Sequence, residues 1–161
     1  MQFCRDSFND IASTKRRKMS TNQRVALVTG AGSGIGKASS LALAAQGFSV
    51  VLTGRQIDPL NAVAREIEAQ GGTALAVTCD VTSAASVDQL FAETVARFGR
   101  LDVLFNNAGR NAGSTPLDEY DVDLWNAVVA TNLTGVFLCT CLLYTSPSPR
   151  DLSTSRMPSS A

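Results

Sequence analysis

Thr29-Gly30-Ala31-Gly32-Ser33-Gly34-Ile35-Gly36 decides the fold. The apolar run Val25-Ala26-Leu27-Val28 precedes it and reads as a buried strand. Lys37 to Gln46, rich in Ala and Leu, follows it and reads as a helix. A strand, a glycine loop and a helix in that order form a phosphate-holding geometry. The glycines let the backbone turn sharply and approach the ligand. The helix then offers unpaired N–H groups and the positive end of its dipole. Gly30, Gly34 and Gly36 could each be an ordinary turn glycine, but three around one strand-to-helix loop favour phosphate binding.

Working outward, the pattern stays regular. The first strand, Val25–Thr29, leads into a helix over Ile35–Gln46, which Gly47 ends. Phe48 to Thr53 is a second apolar strand. Leu60, Val63, Ala64 and Ile67 recur at helical spacing in a helix from Leu60 to Gln70, stopped by Gly71-Gly72. Thr73–Thr78 is a third strand. Ser83 or Ser86 can cap a helix running to about Phe98. Leu101–Phe105 is a fourth strand, closed by Asn106-Asn107-Ala108-Gly109. Asp118 to about Thr140 holds another helix, starting near Tyr120 or Asp123. Strands apolar throughout, alternating with helices, imply a parallel sheet covered on both faces. Right-handed crossovers make it α/β, a doubly wound Rossmann-type sheet with strand order 3-2-1-4.

Bulk properties narrow the chemistry. The 161 residues are 45% hydrophobic, enough for one packed core. No apolar run approaches the length of a membrane span, so no membrane partner is expected. The absence of histidine removes His-based catalysis and most zinc sites, and no metal is expected. Cys4, Cys79, Cys139 and Cys141 lie at irregular spacing and read as reduced thiols of a cytoplasmic protein. Residues 19–140 carry seven basic and eleven acidic side chains, which gives no hint of nucleic-acid binding.

These residues resemble the short-chain dehydrogenase/reductase family over about residues 22–140, the first half of that family's fold. The glycine loop is the family's T-G-x-x-x-G-x-G. Cys79-Asp80-Val81 matches the segment after the third strand, where the resemblance implies that Asp80 contacts the adenine ring. Asp80 alone would more often be read as a helix cap. Asn106-Asn107-Ala108-Gly109 matches the family's N-N-A-G, which stabilises the sheet and lines the cofactor cleft. Asn132-Leu133-Thr134-Gly135 matches the helix segment carrying the Asn of the family's catalytic tetrad. Asparagine within a helix is unfavourable by propensity and needs a reason. The resemblance supplies one, a carbonyl-bound water in a proton relay. It therefore implies Asn132 as catalytic, and Gly30, Ser33, Gly34, Ile35, Gly36, Arg55, Asp80, Val81, Asn106, Ala108 and Gly109 as cofactor-binding. The implied function is an oxidoreductase acting on a small carbonyl or alcohol, with a homo-oligomeric parent protein. A non-catalytic nucleotide-binding module on the same fold is the alternative.

The segment after the second strand separates the two nicotinamide cofactors. An acid there would hold a ribose 2′-OH. Leu52-Thr53-Gly54-Arg55 has none, and the planar fork of Arg55 could pair with a 2′-phosphate. NADP(H) is expected over NAD(H), against a reading of Arg55 as a solvated loop charge.

The two ends differ from the middle. Residues 1–18 end in Lys15-Arg16-Arg17-Lys18 and read as a disordered, non-native leader rather than a nuclear-localisation or anionic-surface patch. Residues 141–161 are expected to be disordered. Codons for 141–151 and 155–161 can be chosen that resemble a transposase-type sequencing adapter, against a natural Ser/Pro-rich tail. The last lysine is Lys37, and Tyr144 is followed four positions later by Ser148, so the family's Y-x-x-x-K is not in this sequence. The chain is accordingly expected to be a fragment, inactive as written.

Overall fold

The computed structural model describes residues 23–114 and 116–145. The leader and residues 146–161 lie outside them. Four strands form one parallel sheet: β1 (Val25–Thr29), β2 (Ser49–Gly54), β3 (Thr73–Thr78) and β4 (Val103–Phe105). The order is β3-β2-β1-β4. β1 pairs with β2 from Val25 opposite Ser49 to Thr29 opposite Thr53, and with β4 from Ala26 opposite Val103 to Val28 opposite Phe105. β2 pairs with β3 in the same sense.

Helices α1 (Gly34–Ala45), α2 (Ile57–Ala69) and α3 (Ala84–Phe98) connect the strands. A short 3-10 turn at Leu117–Glu119 then leads to α4 (Val122–Val129). A π-helical turn, Ala130–Thr134, joins α4 to α5 (Gly135–Thr145). Alternate residues of β1 serve opposite faces, as strand pleating requires. Ala26 and Val28 pack with Leu60, Val63 and Ile67 of α2. Val25 and Leu27 pack with Leu90 and Phe91 of α3 and Cys139 and Leu142 of α5. Both faces are covered, so the strands are apolar throughout and the sheet is doubly wound.

Several boundaries differ from the sequence reading. α2 begins at Ile57 rather than Leu60, because its first turn is exposed and carries no apolar period. β4 begins at Val103 rather than Leu101. Leu101 turns into the core, and the Asp102 carboxylate accepts the Val25 N–H at 2.8 Å. Ser83, not Ser86, caps α3 and accepts the Ser86 N–H at 3.4 Å. α3 ends at Gly99 with φ +75°, a value that suits glycine. α5 continues through Thr145, past the boundary expected at residue 140.

The expectation about apolar length needs correction. The helical stretch Val122–Leu143, 22 residues with an 18-residue window of mean hydropathy 1.6, is long and apolar enough to cross a membrane by length and composition alone, a test that a core helix also passes. Asp123, Asn126 and Asn132 interrupt its sequence, so no unbroken run is visible, but the average over one continuous helix passes. The same stretch supplies Cys139 and Leu142 to the protein core.

Candidate functional site

A cleft of about 600 Å³ opens at the carboxyl ends of the strands. In an open parallel sheet this is where ligands bind, at the point where strand order reverses. Here the reversal lies between β1 and β4. Gly30, Ser33, Gly34 and Ile35 bring the glycine loop and the first turn of α1 to the cleft. Gly54 and Arg55 enter from β2, and Cys79 to Thr82 from β3. Asn107 to Arg110 enter from β4, and Ala127, Ala130 and Thr131 from the helical segment.

One side chain ties the glycine loop to the end of β4. Thr29 Oγ1 accepts the backbone N–H groups of Asn107 and Ala108, each at 2.9 Å, and donates to the Phe105 carbonyl at 3.4 Å. Asn107 Nδ2 returns the tie, donating to the carbonyls of Thr29 at 3.0 Å and Gly30 at 3.3 Å. Gly30 has φ +65°, and a Cβ there would stand 3.0 Å from the Ala108 Cα. Only glycine fits both the conformation and the approach. Gly36 is buried below the loop, where a Cβ would collide with the Gly30 carbonyl oxygen. Its lack of a side chain lets the helix start directly under the loop. Ser33 precedes α1 with extended backbone and makes no capping hydrogen bond with its side chain. Its hydroxyl and the first N–H groups of α1 suit an anion.

Asp80 is held in place locally. Its Oδ1 accepts from Thr82 N at 3.0 Å and Thr82 Oγ1 at 2.8 Å. These hydrogen bonds, the backbone one foremost, hold its carboxyl below the usual carboxylate range, and the Arg55 charge adds to the effect. Cys79 is buried beside it, and burial pushes its thiol up.

Asn132 lies in the π-helical turn and is exposed, but its side chain is fully engaged. Nδ2 donates to the Arg110 carbonyl, and Oδ1 accepts the Arg110 N–H, both at 2.8 Å. The two bonds clamp the residue that follows N-N-A-G. Asn106 turns away from the cleft, and its Nδ2 donates to Thr140 Oγ1 on α5 at 3.2 Å.

The structure thus gathers Gly30, Ser33, Gly34, Ile35, Arg55, Asp80, Val81, Ala108 and Gly109 around one cleft. It places Gly36 beneath the loop, Asn106 against α5 and Asn132 behind Arg110. Sequence reasoning did not single out Cys79 and Thr82 as lining residues, although their place at a strand end was a signal. Arg110 was readable as the neighbour of N-N-A-G. Ala127, Ala130 and Thr131 carried no signal, because only the helix packing brings them there. Among the described residues no group of three or more His, Cys, Asp or Glu could hold a metal ion. The fit to a dinucleotide rests on the open space at Gly34, where a Cβ would meet nothing within 4 Å, and on the donors at Ser33, Gly34 and Arg55.

Comparison with known proteins agrees with this architecture. The sequence model of the short chain dehydrogenases matches residues 24–147. A 3-oxoacyl-[acyl-carrier-protein] reductase of Synechocystis sp. is 52% identical over 118 residues, 73% of this chain and 47% of the relative. The cis-4-hydroxycyclohexanecarboxylate dehydrogenase of Sinomonas cyclohexanicum is 46% identical over 117 residues, again 73% and 47%. A metagenomic short-chain oxidoreductase solved in complex with NADP superposes with TM-score 0.74 at 38% identity, covering 76% of this chain and 56% of that one. The chain spans about half the length of the curated relatives it matches. A four-stranded parallel sheet, a glycine loop knotted to N-N-A-G and a family match over most of the sequence lead to one conclusion: the chain belongs to the short-chain dehydrogenase/reductase family.

Proposed function

We propose that this chain is the nucleotide-binding half of an NADP(H)-dependent oxidoreductase acting on a carbonyl/alcohol pair. The observation that carries the reading is the cleft itself, with an open glycine loop at one wall and Arg55 at the end of β2. Gly30, Ser33, Gly34 and Ile35 would hold the pyrophosphate, Arg55 the 2′-phosphate, and Asp80 and Val81 the adenine. Ala108 and Gly109 would border the nicotinamide end, with Gly36 and Asn106 shaping the loop and the strand end from behind. Bound nicotinamide supplies or takes the hydride. Asn132 would serve the proton path from its place in the π-helical turn, a helical irregularity that recurs at functional sites. The names of relatives support the reaction class: a ketoacyl-carrier reductase and a hydroxycarboxylate dehydrogenase both interconvert carbonyl and alcohol. An NADP-bound relative supports the cofactor. The parent protein is proposed to be cytoplasmic and homo-oligomeric, with no membrane or nucleic-acid partner.

A second reading is a module that binds nucleotide without catalysis, which a natural sequence beyond codon 140 lacking Y-x-x-x-K would favour. On both readings the chain as written binds NADP+ without turnover. The test is calorimetric titration with NADP+ and NAD+ of the wild type and of Arg55→Gln. Loss of a charge-assisted hydrogen bond predicts about a 10–100-fold weaker NADP+ complex in the variant, with NAD+ affinity little changed. Equal affinity for the two nucleotides in the wild type would remove the NADP(H) assignment. An adapter-free read of the source locus across codon 140 separates the two readings, because Y-x-x-x-K beyond it is required by the first and its absence by the second.

A further inference from the structure

Most polar side chains around the cleft are already committed. Asn107 is bonded to Thr29 and Gly30, Asp80 to Thr82, Thr131 to the Ala127 carbonyl, and Asn132 to the Arg110 backbone. Ser33, Arg55 and Arg110 are left for a ligand among the described lining residues. The cofactor's own charges account for the first two on the reading above. Arg110 is then surplus to the nucleotide. It stands on the other side of the glycine loop from Arg55, because β4 and β2 flank β1. At about 4.8 Å per strand spacing, the two strand ends lie about 10 Å apart. Arg110 lines the cleft on the β4 side, away from Arg55 at the end of β2, with its backbone bonded to Asn132.

The backbone of Arg110 is fastened although its side chain is exposed. Its N–H and C=O are both clamped by Asn132 at 2.8 Å, so the start of the side chain has a fixed position. Its guanidinium has no ion-pair partner among the described residues, while Lys37 and Arg100 have theirs. Asp80 is the only carboxylate among the residues lining the cleft, and Thr82 holds it.

We propose that Arg110 is a specificity-determining residue that takes the carboxylate of an anionic keto or hydroxy acid, with the carbonyl directed toward the nicotinamide end. A guanidinium fork pairs with a carboxylate through two parallel N–H bonds, fixing orientation as well as charge. This inference rests on the nucleotide reading of the cleft.

The test uses the isotope-labelled chain saturated with NADP+ and titrated with acetoacetate or with its neutral methyl ester. The side-chain Nε–H resonance of Arg110 is followed by NMR, and NADP+ affinity is measured separately. Acetoacetate is expected to shift that resonance and to bind at least about 10-fold more tightly than the ester. Arg110→Gln removes the preference and leaves NADP+ affinity unchanged within about two-fold. Arg110→Lys keeps part of the preference, because the charge remains and the fork is lost. Equal binding of acid and ester, or no binding of either, with NADP+ affinity intact, would overturn the proposal and leave the nucleotide reading standing. A matching loss of NADP+ affinity in Arg110→Gln would assign Arg110 to the cofactor and overturn it too. Failure of the wild type to bind NADP+ would overturn the nucleotide reading first, and the inference with it.

Discussion

Thr29 Oγ1 is the residue-scale centre of the site. Two backbone N–H groups depend on one hydroxyl, and a buried donor left without an acceptor costs about 1–3 kcal/mol. Thr29→Val keeps the shape and removes the acceptor, so the variant should lose at least that much stability. Urea unfolding should show a lower midpoint at unchanged slope. A midpoint equal to wild type would mean that water or a shifted loop replaces the hydroxyl. Cys139 offers a second residue-scale prediction. Burial, with a smaller contribution from Cys79, pushes its thiol from an ordinary 9.0 up to about 12. The neutral thiol is the form the fold favours. Its contribution to stability is therefore fully present below pH 9 and is lost as pH rises from about 9 to about 12. Cys139→Ala should flatten that alkaline decline in a pH series of thermal melts, whereas an unchanged decline would place its cause in another group.

At the scale of elements, the helical segment after β4 holds four of the six exposed large hydrophobics among the described residues, Val122, Trp125, Leu133 and Phe137. β4 pairs on one side only among the described residues, and Val103, Leu104 and Phe105 are half-buried. Trp125 is 55% exposed, Leu133 67% and Phe137 61%. An edge strand next to a bare apolar helix invites association. The chain as written is therefore expected to self-associate at micromolar concentration in sedimentation velocity. Phe137→Glu should reduce that association with little change in the melting temperature, since the side chain supports no core contact of the sheet. A monodisperse, cooperatively melting wild-type monomer would defeat the expectation.

At the scale of the whole molecule, the sheet was legible because its strands are apolar on both faces and separated by glycine stops. Val25–Thr29 and Thr73–Thr78 could be bounded to the residue for that reason. Helix starts were less legible where the first turn is solvated, as at Ile57. The cleft was legible as far as local motifs reach: Gly30, Ser33, Arg55 and Asp80 stand at strand ends, so topology brings them together. The division of labour between Asn106 and Asn107 was not. Adjacent residues at a strand end point opposite ways, and here Asn107 lines the cleft while Asn106 bonds Thr140 of α5. The long apolar average of Val122–Leu143 was hidden by its polar interruptions, Asp123, Asn126 and Asn132.

The clamp between Asn132 and Arg110 joins two segments 22 residues apart in sequence through a single side chain. Such a joint ties the loop after β4 to the turn between α4 and α5 by both polar atoms of one amide. A wall fastened in this way takes its shape from a residue that does not line the cleft, so Asn132→Ala should alter that wall without removing any lining side chain.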